Sequence, residues 1–311
     1  MFLSVIMLVV GFVLLIKGAD FFVDASVGIA QKLRIPSTIV GLTIVSLGTS
    51  APEAVVSITA SLAGSNELAV GNIVGSNLFN LLFIIGICAV IKPFAVNFGE
   101  ISRDFIISIL AAILLFLVIF LGGELIPRWV SLLLFGLFLF YIGFLIVQAL
   151  KNRVDEEKSD VLPRKMWLNL LLIGLGLAGI VFGGQLTVTG AVDIAHAMGM
   201  SERIVGLTIV AIGTSLPELM TSVVASKKGE TGIALGNVVG SNIFNILGIL
   251  GIAGLISPLA VDAALVQDII VLIAGSLLAL AFVFTGRRIS RAEGVIMSVI
   301  YLAYMGWIIY A

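Results

Sequence analysis

Charge is what this sequence has least of. Asp, Glu, Lys and Arg make up 11% of its 311 residues, 17 basic against 18 acidic, and mean hydropathy is +1.24. A water-soluble domain of this size exposes a large polar surface, which so few charges cover only thinly. The solvent is therefore mostly lipid. The near balance of signs, with Lys and Arg dispersed, excludes the basic face or arginine-rich arm that nucleic acid requires. A single cysteine, Cys88, excludes an intrachain disulfide and argues against a thiolate metal site; in its apolar run it reads as a packing residue. A single histidine, His196, leaves no histidine cluster. The chain start lacks the basic segment and small-residue cleavage motif of a signal peptide, so it reads as a first span.

Apolar runs are abundant. About 20 apolar residues cross a bilayer, and ten runs qualify, at roughly 2–30, 36–62, 67–91, 104–122, 126–150, 165–196, 203–226, 231–256, 265–285 and 289–311. The expected class is an all-α integral membrane protein with the lipid bilayer as its surroundings and no inferable protein partner. Residues 1–150 hold five spans, 165–311 hold five more, and the polar stretch 151–164 links them. The acidic cluster Asp155-Glu156-Glu157 in that linker reads as a solvated loop.

Placing the N-terminus outside puts 14 of the 17 basic residues on one side, among them Lys32, Lys92, Lys151, Lys228 and Arg291. The positive-inside rule makes that side cytoplasmic and leaves both termini outside a cell membrane.

A repeat organises the chain. Gly41-Leu42-Thr43-Ile44-Val45-Ser46-Leu47-Gly48-Thr49-Ser50-Ala51-Pro52-Glu53 recurs 165 residues later as Gly206-Leu207-Thr208-Ile209-Val210-Ala211-Ile212-Gly213-Thr214-Ser215-Leu216-Pro217-Glu218. The same offset carries Gly71-Asn72-Ile73-Val74-Gly75-Ser76-Asn77-Leu78-Phe79-Asn80 onto Gly236-Asn237-Val238-Val239-Gly240-Ser241-Asn242-Ile243-Phe244-Asn245, with 29 identities over 53 positions and no gap. Five spans per half is an odd number, so the second copy is inverted. Inverted repeats characterise secondary transporters, whose sites lie at the repeat interface near the midplane.

The repeated residues suit a cation. Carboxylates deep in a span, here Glu53 and Glu218, are costly and mark ion paths or paired sites. The proline before each removes a backbone donor and crowds the carbonyl four residues back, so the second and seventh spans should break at Pro52 and Pro217. Carbonyls near Ser46 to Ser50 and Ala211 to Ser215 should then lose helical partners and face a polar cavity. Each proline also suits the first turn of a new half-helix, placing the glutamates near a positive helix end. In the third and eighth spans Asn72, Ser76 and Asn80, with Asn237, Ser241 and Asn245, recur every four residues and share one face. Asn72, Asn77, Asn237 and Asn242 read as structural. Oxygen ligands without cysteine or clustered histidine favour hard ions such as Ca²⁺ or Na⁺.

Gly-Thr-Ser-x-Pro-Glu and Gly-Ser-Asn-x-x-Asn, each present twice, resemble the two alpha repeats of the sodium/calcium exchanger family. The resemblance implies electrogenic exchange of about three Na⁺ for one Ca²⁺, both ions being cargo with no cofactor. It further implies alternating access, in which two gating helices slide over a core of eight. Carried over residue by residue, it implies ligands at Glu53, Glu218, Thr49, Thr214, Ser50, Ser215, Ser76 and Ser241, backbone carbonyls at Ser46 and Ala211, and Asn80 and Asn245 completing the centre. Asparagine at both of the last positions departs from potassium-dependent relatives, which carry Asp at one.

Two rivals differ in class. An intramembrane serine hydrolase built on Ser50 or Ser215 lacks a base, since His196 falls near the outer end of its span, and a passive channel fits broken inverted helices less well than alternating access. Asp20 and Asp24 share a face of the first span with Lys17 one turn away, and read as an interfacial ion pair.

Overall fold

The computed structural model describes residues 2–95, 98–123, 125–151, 164–199, 211–261, 263–286 and 288–310. With no water to satisfy backbone groups, lipid-spanning segments fold as helices. The helices are α1 (Phe2–Leu33), α2 (Ser37–Thr49), α3 (Ala51–Leu62), α4 (Asn66–Ile91), α5 (Phe98–Gly122) and α6 (Arg128–Lys151). The second half supplies α7 (Met166–Ala197), α8 (Ala211–Gly213), α9 (Leu216–Lys228), α10 (Thr231–Ile256), α11 (Ala263–Gly286) and α12 (Arg291–Tyr310). Seven are long and apolar enough to cross a membrane, and the bent pair α2 and α3 makes an eighth. Two further expected spans correspond to α8 with α9 and to α12. Most of the linker 151–164, and the second copy's Gly206 to Val210, lie outside the described residues.

The interruptions fall two residues ahead of each proline, not at it. The chain bends by 48° between α2 and α3, at Ser50 (φ −82°, ψ 10°), and Ser215 (φ −91°, ψ 6°) stands in the same position before α9. Pro52 and Pro217 sit in the first turns of α3 and α9, where a missing N–H costs nothing. The carbonyls of Ser46, Ser50 and Ser215 keep their partners, whereas Ser215 N–H turns to Ile212 O at 3.1 Å and not to Ala211 O. Ser46 O accepts from Ser50 N–H at 3.0 Å, Ser50 O from Ala54 N–H at 3.1 Å and Ser215 O from Leu219 N–H at 3.1 Å. The expectation that the carbonyls near Ser46 to Ser50 and Ala211 to Ser215 lose helical partners is corrected at Ser46, Ser50 and Ser215.

Among the described residues three π turns were not legible in the sequence: Gly41–Val45 in α2, Phe79–Ile84 in α4 and Phe244–Ile249 in α10. Such turns widen a helix by one residue and concentrate at functional sites.

α4 and α10 form the centre, each 78% buried over its most apolar stretch, whereas α1 and α7 are 28% and 22% buried. α1 and α7 lie against each other backbone to backbone. A Cβ at Gly18 would stand 2.8 Å from Gly176 O, and one at Gly183 2.8 Å from Gly11 O. Close approach through small residues replaces the hydrophobic effect as the association force between helices in lipid. Gly236 and Gly240 likewise bring α10 against α2 near Thr38 and Leu42.

Four two-residue strands were also unforeseen. β1 (Phe94–Ala95) pairs antiparallel with β4 (Arg288–Ile289), and β2 (Leu125–Ile126) with β3 (Leu259–Ala260). Each ribbon joins a loop of one half to a loop of the other. Two residues are too few to produce an alternating pattern.

Candidate functional site

The helix breaks bring the repeated glutamates to the middle of the fold. Glu53 and Glu218 occupy the first turns of α3 and α9, where free N–H groups and the helix dipole favour a carboxylate, and both are 0% exposed. Asn80 and Asn245 are each the second residue of a π turn and equally buried.

Partners are exchanged between the halves. The Ser50 hydroxyl donates to Glu218 Oε1 at 2.8 Å, and the Ser215 hydroxyl donates to Glu53 Oε1 at 2.9 Å. Ser241 Oγ lies 2.8 Å from Ser50 Oγ, and Ser76 Oγ lies 3.0 Å from Ser215 Oγ while donating to Glu53 Oε1 at 3.3 Å. Below them the asparagines interlock. Asn77 Nδ2 donates to Asn242 O at 3.2 Å and Asn242 Nδ2 to Asn77 O at 3.3 Å. Asn80 Nδ2 donates to Asn242 Oδ1 at 3.2 Å, and Asn245 Nδ2 to Asn77 Oδ1 at 2.9 Å. The amide groups are thereby turned so that their donors are consumed.

What is left over is a set of acceptors. Glu53 Oε2, Glu218 Oε2, Asn80 Oδ1 and Asn245 Oδ1 are buried with no hydrogen-bond partner. Each such orphan costs about 1–3 kcal/mol, and more where it is charged. Two carboxylate and two amide oxygens, related by the repeat, are the ligand chemistry of a hard cation. Among the described residues no group of three His, Cys, Asp or Glu side chains converges, so two carboxylates set the charge of the centre.

The remaining expected residues divide. Thr49 donates to Asn237 Oδ1 at 2.9 Å and approaches Ser46 O at 3.4 Å, which ties α2 to α10. Ser46 turns its hydroxyl onto Leu42 O at 2.9 Å, so only its carbonyl is directed along the motif. Ala211 is the first described residue of α8. Thr214 Oγ1 has no partner, and Thr214 lines a cavity of about 320 Å³ together with Pro52, Gln185, Val188, Thr189 and Pro217. This cavity lies between α7 and the two helix breaks.

Asn72 and Asn237 prove to be braces. Asn72 Nδ2 donates to Ser57 Oγ at 3.1 Å and Asn237 Nδ2 to Ser222 Oγ at 2.9 Å, tying each half-helix to the central helix that follows it. Ser57 and Ser222 are identical across the repeat, a signal available in the sequence but not used. Two further symmetric pairs lay beyond the aligned motif: Tyr141 donates to Asp104 Oδ1 at 3.1 Å, and Tyr304 to Asp268 Oδ1 at 2.6 Å. Arg103 adds a 2.8 Å ion pair to Asp104. Asp20 and Asp24 do form an ion pair, but their partner is Lys228 of α9, at 3.2 and 2.7 Å, rather than Lys17.

Known proteins share this arrangement. Residues 3–147 and 168–310 match the family described as "Sodium/calcium exchanger protein". The chain is 42% identical over 314 residues to the putative antiporter CaxA of Alkalimonas amylolytica, covering 98% of each chain. It is 34% identical over 338 residues to the sodium/calcium exchanger MaX1 of Methanosarcina acetivorans, covering 96% of this chain and 97% of that one. Its fold superposes on the solved sodium-calcium exchanger NCX_Mj with a TM-score of 0.85 at 31% identity, covering 98% of both chains. Matches that span both halves, on a fold with a buried two-carboxylate centre between the two repeats, leave one conclusion: the chain belongs to the sodium/calcium exchanger family, multi-pass membrane antiporters and not enzymes.

Proposed function

We propose that this protein exchanges about three Na⁺ for one Ca²⁺ across the cell membrane, electrogenically and by alternating access. In this reading ten helical crossings, α2 with α3 and α8 with α9 each counted once, form two inverted halves, residues 1–150 and 165–311, joined by a cytoplasmic linker at 151–164. Both termini face out. The observation that carries the reading is the set of four orphaned acceptors at Glu53, Glu218, Asn80 and Asn245. Two carboxylates neutralise one Ca²⁺, and the same two charges offset much of the charge of several Na⁺. The ions therefore compete for one charge balance, the physical basis of exchange.

Glu53, Glu218, Asn80 and Asn245 supply the inner ligands. Ser50, Ser215, Ser76 and Ser241 present hydroxyl oxygens, each able to rotate from donor to acceptor as ions arrive. Thr49 and Thr214, with the carbonyls of Ser46 and Ala211, add peripheral oxygens. No third carboxylate stands at the Asn80 or Asn245 position, so K⁺ is not required.

The test is ⁴⁵Ca²⁺ uptake by proteoliposomes loaded with Na⁺. Uptake should run against a Ca²⁺ gradient, follow the Na⁺ gradient, and be the same with and without K⁺. Uptake that only dissipates a Ca²⁺ gradient makes the protein a channel, and uptake that needs K⁺ refutes the two-carboxylate centre.

A further inference from the structure

The inverted repeat allows each side of the molecule to be compared with the other. On the α7 side a cavity opens beside the helix breaks, next to the site, lined by Ala51, Pro52, Gln185, Val188, Thr189 and Thr214. The offset of 165 maps these residues onto Leu216, Pro217, Asp20, Val23, Asp24 and Thr49 on the α1 side. There the equivalent space is closed. Ala19 and Val23 are fully buried in an apolar cluster with Phe22, against which Leu216 and Met220 pack. Across the outer face of that cluster, Lys228 Nζ reaches Asp24 Oδ1 at 2.7 Å, Asp20 Oδ1 at 3.2 Å and Asp20 O at 3.2 Å. Lys228 is held in place as the last residue of α9, which Gly229 terminates at φ +84°. The bridge has no counterpart, because Gln185, Thr189 and Ala63 stand at the equivalent positions.

We propose that Asp20 and Asp24 line a second, inner passage to the ion site, and that Lys228 seals it in this conformation. The proposal rests on the alternating-access reading. The open α7 side shows the arrangement the α1 side takes when it opens: Asp20 and Asp24 then stand where Gln185 and Thr189 stand now. Because α1 and α7 are locked together by glycine contacts, they shift as a pair, and opening at α1 separates Asp20 and Asp24 from the α9 end that carries Lys228. The protonated amine is in effect a tethered cation. When it leaves, the two carboxylates it bridged face the passage with their full charge and favour entry of cations from that side. The outer passage, lined by an amide and a hydroxyl, has no such charge. The two entrances are therefore chemically unequal although the fold is nearly symmetric.

Alkylation by a small maleimide tests this on the full-length chain purified in detergent, with Cys88→Ala and a single reporter at Val23→Cys or Val188→Cys. Lys228→Gln should speed labelling at position 23 and slow it at position 188, each by about three-fold, the size set by partly exposed ion pairs. Lys228→Arg should leave both rates at their starting values, and the exchange Asp24→Lys with Lys228→Asp should restore them. Unchanged rates in Lys228→Gln overturn the proposal, as does equal acceleration at both positions, which reports only local loosening. Should Lys228→Gln not yield monodisperse protein, Asp24→Asn removes the shorter bridge and is read the same way. Labelling needs no transport, so absence of Na⁺-driven Ca²⁺ uptake in the unmodified chain counts against the function, while unchanged labelling counts against the seal alone.

Discussion

Glu53→Gln isolates one charge at the centre. Glutamine preserves the shape, and the contacts dictate its orientation. The hydroxyls of Ser215 and Ser76 donate to Oε1 at 2.9 and 3.3 Å, so keeping these two bonds puts the amide oxygen in that place and the NH₂ group in the place of Oε2. Oε2 is the atom without a protein partner. The substitution thus removes half the negative charge of the centre and also points an N–H dipole at the cation. A unit charge about 3 Å from a divalent ion, at an effective dielectric near 20, interacts by about 10 kcal/mol. Most of that is offset by the desolvation the carboxylate no longer suffers, and removing one member of a buried charge pair typically costs about 3–5 kcal/mol net. Ca²⁺ should bind at least about a hundred-fold more weakly. Calorimetric titration and ⁴⁵Ca²⁺ uptake by Na⁺-loaded proteoliposomes measure this directly. Melting in ion-free buffer should be unchanged or higher, because two like charges no longer share a buried space. By symmetry, Glu218→Gln with its Ser50 contact should behave alike. Either variant transporting Ca²⁺ within about three-fold of the unmodified chain would refute the two-carboxylate reasoning.

Two further outcomes are expected. Cysteines at Ser65 and Lys227, in equivalent links of inverted halves, should react with an impermeant reagent from opposite faces of oriented vesicles; reaction from the same face removes the inversion. Asn242→Ala deletes the acceptor of Asn80 Nδ2 and the donor to Asn77 O, so it should lower stability by about 2–3 kcal/mol in thermal melts while reducing Ca²⁺ uptake far less than Glu53→Gln. A larger transport loss than that of Glu53→Gln would make the asparagine a ligand instead of a brace.

The residues that gather at the centre were legible because the repeat writes them twice. Glu53, Ser50, Ser76 and Asn80 could be singled out from their copies 165 residues on, and the structure brings all eight together. The π turns were not legible, since Phe79–Ile84 and Phe244–Ile249 are uninterrupted helical runs whose extra residue per turn depends on packing. The exact place of the breaks escaped for a related reason. A proline marks a disallowed bond, but the chain satisfies it by breaking at the serine two residues earlier and starting a new helix at the next residue. Lys228 was missed as the partner of Asp20 and Asp24 because it lies 204 residues from Asp24, and no local spacing signals such a pair. The pairs Asp104 with Tyr141 and Asp268 with Tyr304 fell outside the ungapped alignment, where the offset drifts by one or two residues.

The exchange of partners between halves has a consequence for biosynthesis. Ser50 meets Glu218 across 168 residues and Ser215 meets Glu53 across 162, so these cross-repeat contacts form only once both halves exist. At about 5–20 residues per second of translation, roughly 8–30 s pass between synthesis of one copy and the other. During that interval the first half sits in the bilayer with Glu53 held by the longer Ser76 contact alone and with an asparagine belt that lacks its complement. Assembly is therefore post-translational in character even though insertion is not, and the nascent first half is the species most exposed to quality-control proteases. Substitutions that weaken the asparagine lock should reduce yield by lengthening this stage before they impair the finished transporter.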